Sequence, residues 1–185
     1  GSIGSELCRQ IAAFQPNQLV VVDHDETGLF DLRRRLNSRL PGFSVETVIG
    51  NIRDEGRMRD VFSHFRPQVV FHAAAYKHVS MMEENPREAV ANNVIGTRVV
   101  AEAACQYGAE KLVLISTDKA VNPTCVMGAT KRLAEMLVQE LNERGSAGLL
   151  PSVSATCSAA GAAWCLSSAN RSSGSSASAT IKKAG

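Results

Sequence analysis

A chain of 185 residues that is 44% hydrophobic and 21% charged has the length and balance of one globular domain, which excludes a fibrous chain and one disordered throughout. Its formal charge is +2, with Arg171, Lys182 and Lys183 in an acid-free tail, so the remaining body is slightly acidic and carries no basic footprint for nucleic acid. No apolar run reaches the roughly 18 residues of a membrane span, and no charged-then-apolar leader opens the chain, so a soluble, cytoplasmic protein without membrane contact is expected.

The first residues, Gly1-Ser2-Ile3-Gly4-Ser5-Glu6-Leu7, lead straight into an amphipathic helix through Ile11 and Ala12, with no strand ahead of them. Leu19 to Asp23 is a short β-branched run ending in a carboxylate, the pattern of a buried parallel strand. A helix from about Glu26 to Leu40 stops at Pro41-Gly42, Ser44 to Ile49 alternates as a strand, Asp54 to Phe65 has helical periodicity, and Val69 to Ala73 is a further strand. A long helix from Pro86 to Tyr107 ends at Gly108 with a C-cap signal, Lys111 to Ser116 is a fifth strand position in the β-α rhythm, and the last clear helix runs from Met127 to Arg144 before Gly145. Strands alternating with helices imply a parallel sheet covered on both faces, with ligands beyond the strands' carboxyl ends. Asp23, Ala73-Ala74-Ala75 and Ser116-Thr117-Asp118-Lys119 stand at three such ends and are expected to meet in one crevice.

Cys8, Cys105, Cys125, Cys157 and Cys165 show no metal-ligand spacing, and their odd number suits free thiols in a reducing compartment. No metal is expected. Gly1-x-x-Gly4 opening a helix, with Asp23 about 20 residues on at a strand end, matches the second half of a dinucleotide fingerprint. Glycine lets a pyrophosphate approach the backbone, the helix N-terminus around Ser2 and Ile3 offers unpaired N–H groups, and the carboxylate binds ribose hydroxyls. Asn51 and Ile52 are then placed against an adenine, while Asp54 reads equally well as a helix N-cap. The small Ala73, Ala74 and Ala75 suit a cofactor passing close by or simple tight packing. Tyr76, Lys77 and His78 follow at the working edge, and Asn93 interrupts the long helix either as a brace for the site or as part of a solvated face.

Gly1 to Leu7, Phe71-His72-Ala73-Ala74-Ala75-Tyr76-Lys77-His78-Val79, Asn92-Asn93-Val94-Ile95-Gly96-Thr97 and Ser116 to Arg132 together resemble the UDP-N-acetylglucosamine 4,6-dehydratases of polysaccharide biosynthesis, within the extended short-chain dehydrogenase/reductases. The resemblance covers about residues 1 to 148 and implies an α/β, Rossmann-like doubly wound parallel sheet binding NAD or NADP. It also implies a UDP-N-acetylhexosamine substrate converted to a 4-keto-6-deoxy sugar. Where the wider superfamily has Tyr-x-x-x-Lys, this chain reads Met127-Gly128-Ala129-Thr130-Lys131, and methionine is the residue of the dehydratase branch. Tyr107 to Lys111 has the same spacing but straddles a helix end and a strand start. The resemblance gives Asp118 as acid and Lys119 as base of the elimination. Thr117 contacts the 4-hydroxyl, Lys131 holds the cofactor ribose, Asn93 and Lys77 serve the cofactor, and Lys77, His78, Thr117 and Asn122 face the sugar. A homo-oligomeric parent is implied, and the family's larger members carry membrane spans ahead of this domain. A nucleotide-sugar 4-epimerase, a 5-inverting dehydratase and a non-catalytic nucleotide-binding regulator share the scaffold. Asp23 favours NAD, whereas His24 and Arg33 to Arg35 could accommodate the phosphate of NADP.

Cys125 stands where the family has asparagine. The fingerprint's first strand and first glycine are missing before Gly1, so the sheet is expected to be incomplete and this polypeptide, made alone, poorly folded and inactive. From about residue 149 the chain turns to Ser, Ala and Gly, the composition of a disordered linker. Trp164 and two cysteines suit a linker poorly. Back-translated with suitable synonymous codons, 152–170 reads in a shifted frame as Arg-Leu-Gly-Asn-Val-Leu-Gly-Ser-Arg-Gly-Ser-Val-Val-Pro-Leu-Phe-Arg-Glu, which resembles the family's next segment. A frame-shift after about residue 148 is the hypothesis, and the gene's own DNA decides it.

Overall fold

Asp25 and Asp54 both stand in extended backbone just ahead of a helix, and each carboxylate accepts a hydrogen bond from an otherwise unpaired amide, of Gly28 and Arg57 respectively. Such local signals set the element ends in the computed structural model, which describes residues 1–144 and four short strands at 150–151, 155–156, 164–167 and 180–183. The order is α1 (Ser2–Ala13), β1 (Leu19–Asp23), α2 (Glu26–Arg39), β2 (Val45–Ile49), α3 (Glu55–Phe65), β3 (Val69–His72), α4 (Val79–Glu84) and α5 (Pro86–Val90). A π-helical turn (Ala91–Ile95), α6 (Gly96–Gln106), β4 (Lys111–Ser116), a 3-10 turn (Asp118–Ala120) and α7 (Val126–Arg144) follow.

The described strands form two parallel pairs. β1 runs beside β2 with Leu19 opposite Val45, and β3 beside β4 with Val69 opposite Lys111. No strand-to-strand hydrogen bonds join the two pairs among the described residues. They share their helices instead. On one side Met58, Val61 and Phe62 of α3, Val99, Val100, Ala101, Ala103 and Ala104 of α6 and Ala134 and Val138 of α7 pack on Leu112 and Leu114, with Val22 and Val48 of the other pair joining the same cluster. On the other side α1 turns Cys8 and Ala12 to α2 and β2, and Ile3 and Leu7 to Val113 and Ile115 of β4. One helix thus spans both halves. Val113 and Ile115 face α1 while Leu112 and Leu114 face α6 and α7, the period of two that a doubly covered strand requires. Beyond α7, β5 (Leu150–Pro151) and β6 (Ala155–Thr156) pair parallel with β4, and β7 (Trp164–Ser167) pairs antiparallel with β8 (Thr180–Lys183). The cap at Gly145, the boundary at residue 148 and the remaining tail lie outside the described residues.

The structure departs from the sequence reading at three places. Val79–Glu84 is a helix of its own. The expected single helix from Pro86 to Tyr107 contains the π-helical turn, an inserted wider turn of the kind that re-aims side chains. Asp118–Ala120, to which the sequence reading assigns no element between strand and helix, forms a 3-10 turn. Gly108, at φ 75°, ends α6 in the left-handed conformation foreseen for it.

Candidate active site

β3 and β4 run parallel and end together at Ala73 and Ser116, and the opening of α1 touches both that end, through Ile3, and Asp23 at the end of β1. At the first end, Asp23 accepts a hydrogen bond from the Asp25 amide at 3.1 Å and lies 3.3 Å from His24 Nδ1. Its other oxygen is 3.7 Å from the amino group of Gly1, so the opening of α1 and the strand-end carboxylate do meet. A Cβ on Gly1 or Gly4 would touch nothing within 4 Å, leaving the backbone there open to a close-lying group. Asn51 is exposed and its side chain accepts from the Arg53 amide. Ile52 is half-buried against Gly96, where a Cβ would fall 2.6 Å from Ile52 Cδ1. Asp54 is an N-cap.

Behind the edge lies a buried polar network that sequence reasoning caught only at Asn93. That residue is 1% exposed. Its Oδ1 accepts from the Tyr76 amide at 2.8 Å, and its Nδ2 donates to the Tyr76 carbonyl at 3.1 Å and to Thr130 Oγ1 at 3.0 Å. Thr130 in turn donates to the Met127 carbonyl. Thr97, four residues past Asn93, donates its single hydroxyl proton to the Asn93 carbonyl at 2.6 Å, so the 2.9 Å contact to His72 must be donated by His72 Nε2. Burial holds the His72 imidazole neutral, its pKa pushed down to about 3, with the Lys131 charge adding to the effect. Asn93 is therefore a brace and not part of a solvated face. His72, Thr97 and Thr130 left one faint trace in the sequence: polar residues at positions where strand or helix periodicity calls for apolar ones.

Lys131 is 5% exposed and donates to the Ile115 carbonyl at 2.7 Å. Desolvation lowers its pKa to about 8. Ser116 Oγ, buried at this strand end, has no hydrogen-bond partner among the described residues. Met127 is buried among Met82, Ala89 and the flanks of Tyr76 and Cys125.

Just beyond the carboxyl end of β4, the side chains of Asp118 and Lys119 reach into solvent. Their side chains are 63% and 51% exposed and the charges are 3.9 Å apart. Thr117 Oγ1 donates to Asp118 at 3.0 Å and the Lys119 amide donates to the same oxygen. The Thr117 hydrogen bond and then the Lys119 ammonium hold the Asp118 carboxyl below its ordinary value. Lys77, His78 and Asn122 are exposed. His78 opens α4, and Asn122 takes a left-handed conformation at φ 51° in the segment leading to α7. Tyr107 and Lys111 lie at the amino end of β4, away from Ser116. No helix among the described residues is long and apolar enough to cross a membrane.

Residues 1–153 match the family described as "Polysaccharide biosynthesis protein". The probable polysaccharide biosynthesis protein EpsC of Bacillus subtilis is 51% identical over 144 residues, 77% of this chain and 24% of EpsC. A UDP-N-acetylglucosamine 4,6-dehydratase (inverting) of Campylobacter jejuni is 34% identical over 147 residues, 77% of this chain and 41% of the dehydratase. Among solved structures, MoeE5 in complex with UDP-glucose and NAD superposes with a TM-score of 0.66 at 26% identity, over 80% of this chain and 48% of MoeE5. The chain thus spans a quarter to a half of the length of these relatives. With its Rossmann-type α/β fold, the chain belongs to the polysaccharide biosynthesis protein family, within the extended short-chain dehydrogenase/reductases.

Proposed function

We propose that this chain supplies the cofactor-binding half and the acid–base pair of a nucleotide-sugar 4,6-dehydratase acting on a UDP-N-acetylhexosamine. The observation that carries the reading is the exposed Asp118–Lys119 pair at the carboxyl end of β4, backed by buried Lys131 and by Met127. Methionine cannot exchange a proton, so proton traffic falls to the pair in front of it.

The residues fit a nicotinamide dinucleotide. Gly1 and Gly4 leave the backbone open at the start of α1. Asp23 offers a carboxylate to ribose hydroxyls, and Asn51 and Ile52 offer an edge and a face to adenine. Lys131 uses one donor on Ile115 and keeps two for the nicotinamide ribose. Ala73, Ala74 and Ala75 leave room between these positions. Arg34 and Arg35 are turned to Asp31, which favours NAD over NADP. Bound there, the cofactor would supply a reversible two-electron acceptor for the sugar. Once C4 is a ketone, the C5 proton is acidic: Lys119 removes it, Asp118 protonates the departing C6 hydroxyl, and water leaves. Thr117 holds the 4-oxygen, and Lys77, His78 and Asn122 line the sugar side. In the open site the Asp118 carboxyl lies low; a sugar closing over it strips water and raises it toward the protonated form an acid needs.

The test uses residues 1–144 grafted in place of the matching segment of full-length EpsC. With UDP-N-acetylglucosamine the graft should yield a 4-keto-6-deoxy product, its C5 configuration read by NMR, and Lys119→Ala should abolish it. Unchanged turnover in that variant would sink the assignment. A product differing only in C4 configuration would instead identify a 4-epimerase, and cofactor binding without turnover a regulator.

A further inference from the structure

Two backbones meet at one unusual point beside the acid–base pair. A Cβ built on Gly128 would lie 2.2 Å from the Lys119 carbonyl oxygen, 3.1 Å from its carbonyl carbon and 3.3 Å from Cys125 Sγ. The two nearest obstructing atoms are main chain, not the free end of a side chain, so no rotamer change relieves them.

The 3-10 turn is in turn bound tightly within itself. The Ala120 amide donates to the Thr117 carbonyl and the Val121 amide to the Asp118 carbonyl. Ala120 is 1% exposed and anchors the turn in the core. The first turn of α7 is equally tied: the Val126 amide donates to Glu83 Oε1 at 2.7 Å and the Gly128 amide to Cys125 Sγ at 3.3 Å. Neither side can give without moving the peptide between Lys119 and Ala120, and Asp118 and Lys119 move with it.

We propose that Gly128 is the positioning residue of the acid–base pair: having no side chain, it lets α7 dock on the Lys119 carbonyl and so sets where Asp118 and Lys119 stand. The inference rests on the reading of Asp118 and Lys119 as acid and base. It also gives a sign that helix propensity alone reverses. Glycine inside a helix is ordinarily improved by alanine, and at Gly56 in α3 a Cβ meets only Asp54 Oδ1 at an ordinary 3.5 Å.

In the EpsC graft, Gly56→Ala should raise the melting temperature and leave turnover intact. Gly128→Ala should lower the melting temperature and cut kcat about a hundredfold, the scale of a misplacement of about 1 Å. Its KM and its affinity for NAD should stay unchanged, and deuterium wash-in at C5 should fall in step with kcat. Wild-type kcat in Gly128→Ala together with a dead Lys119→Ala overturns this inference and leaves the acid–base reading standing. Full activity in both variants overturns both. Should Gly128→Ala not fold, a crystal structure of the unsubstituted graft decides. A Lys119 carbonyl oxygen in van der Waals contact with Gly128 Cα, within about 4 Å, upholds the proposal, and a wider separation ends it.

Discussion

The front and the back of this site are built on opposite terms. Asp118 and Lys119 are more than half exposed and joined by a 3.9 Å ion pair, whereas His72, Asn93, Thr97, Thr130 and Lys131 are all at most 5% exposed. An exposed pair is screened by water and adds little to stability. A buried polar group left without its partner is costly, so the back of the site is held in one arrangement. The division puts the solvated charges in front and the fixed hydrogen bonds where water cannot reach them.

The largest effect expected from this contrast is acid sensitivity from the back. His72 titrates near 6.5 when unfolded and near 3 when folded. Its contribution is fully present above pH 6.5 and is lost as pH falls through that window toward 3, about 5 kcal/mol in all. His72→Gln in the EpsC graft keeps a donor for Thr97 and removes the titration, so its stability should fall less steeply between pH 6.5 and 3 in chemical denaturation. Equal slopes would break the comparison.

Next comes Lys131, whose folded pKa of about 8 lies below its ordinary 10.5. The unfolded chain then binds more protons between those values, so ligand-free stability should rise with pH from 8 to 10.5, by about 3 kcal/mol. Lys131→Met should flatten this rise and also weaken NAD binding, measured by calorimetry; a rise that survives the substitution belongs to another group. Asn93→Ala should cost about 1–3 kcal/mol, because it leaves the Tyr76 and Thr130 groups unpaired in the core. A loss no larger than that of a surface substitution would mean that the network is not rigid. Smallest of all, Asp118→Asn should leave the melting temperature where it was while turnover collapses. A large drop in melting temperature would show that the front pair is structural after all.

Much of the fold was legible because its signals are local. Apolar runs with β-branched residues, carboxylates ahead of helices and Gly108 after one are each decided within a few residues, and the strands and most helix ends lie where those signals put them. The site was legible as a set of strand ends for the same reason. The π-helical turn was not, because nothing in Ala91 to Ile95 taken alone prefers a wider turn over an α-helix. It exists where Asn93 must reach Tyr76 and Thr130, residues 17 and 37 positions away. His72 read as one more strand residue until Thr97 was placed against it.

The amino-acid sequence alone carries the alternation of strands and helices, the carboxylate closing β1, the Asp118–Lys119 pair just beyond β4 and the methionine at position 127. These are statements about which residue stands at which element end, and element ends follow from short-range chemistry. Packing across the fold is what makes Asn93 a brace behind the candidate site, keeps Lys131 dry, and requires Gly128 to lack a side chain for Lys119 to lie where it does. Each of those depends on what packs across from the residue, and contacts between distant segments are set by the whole chain at once.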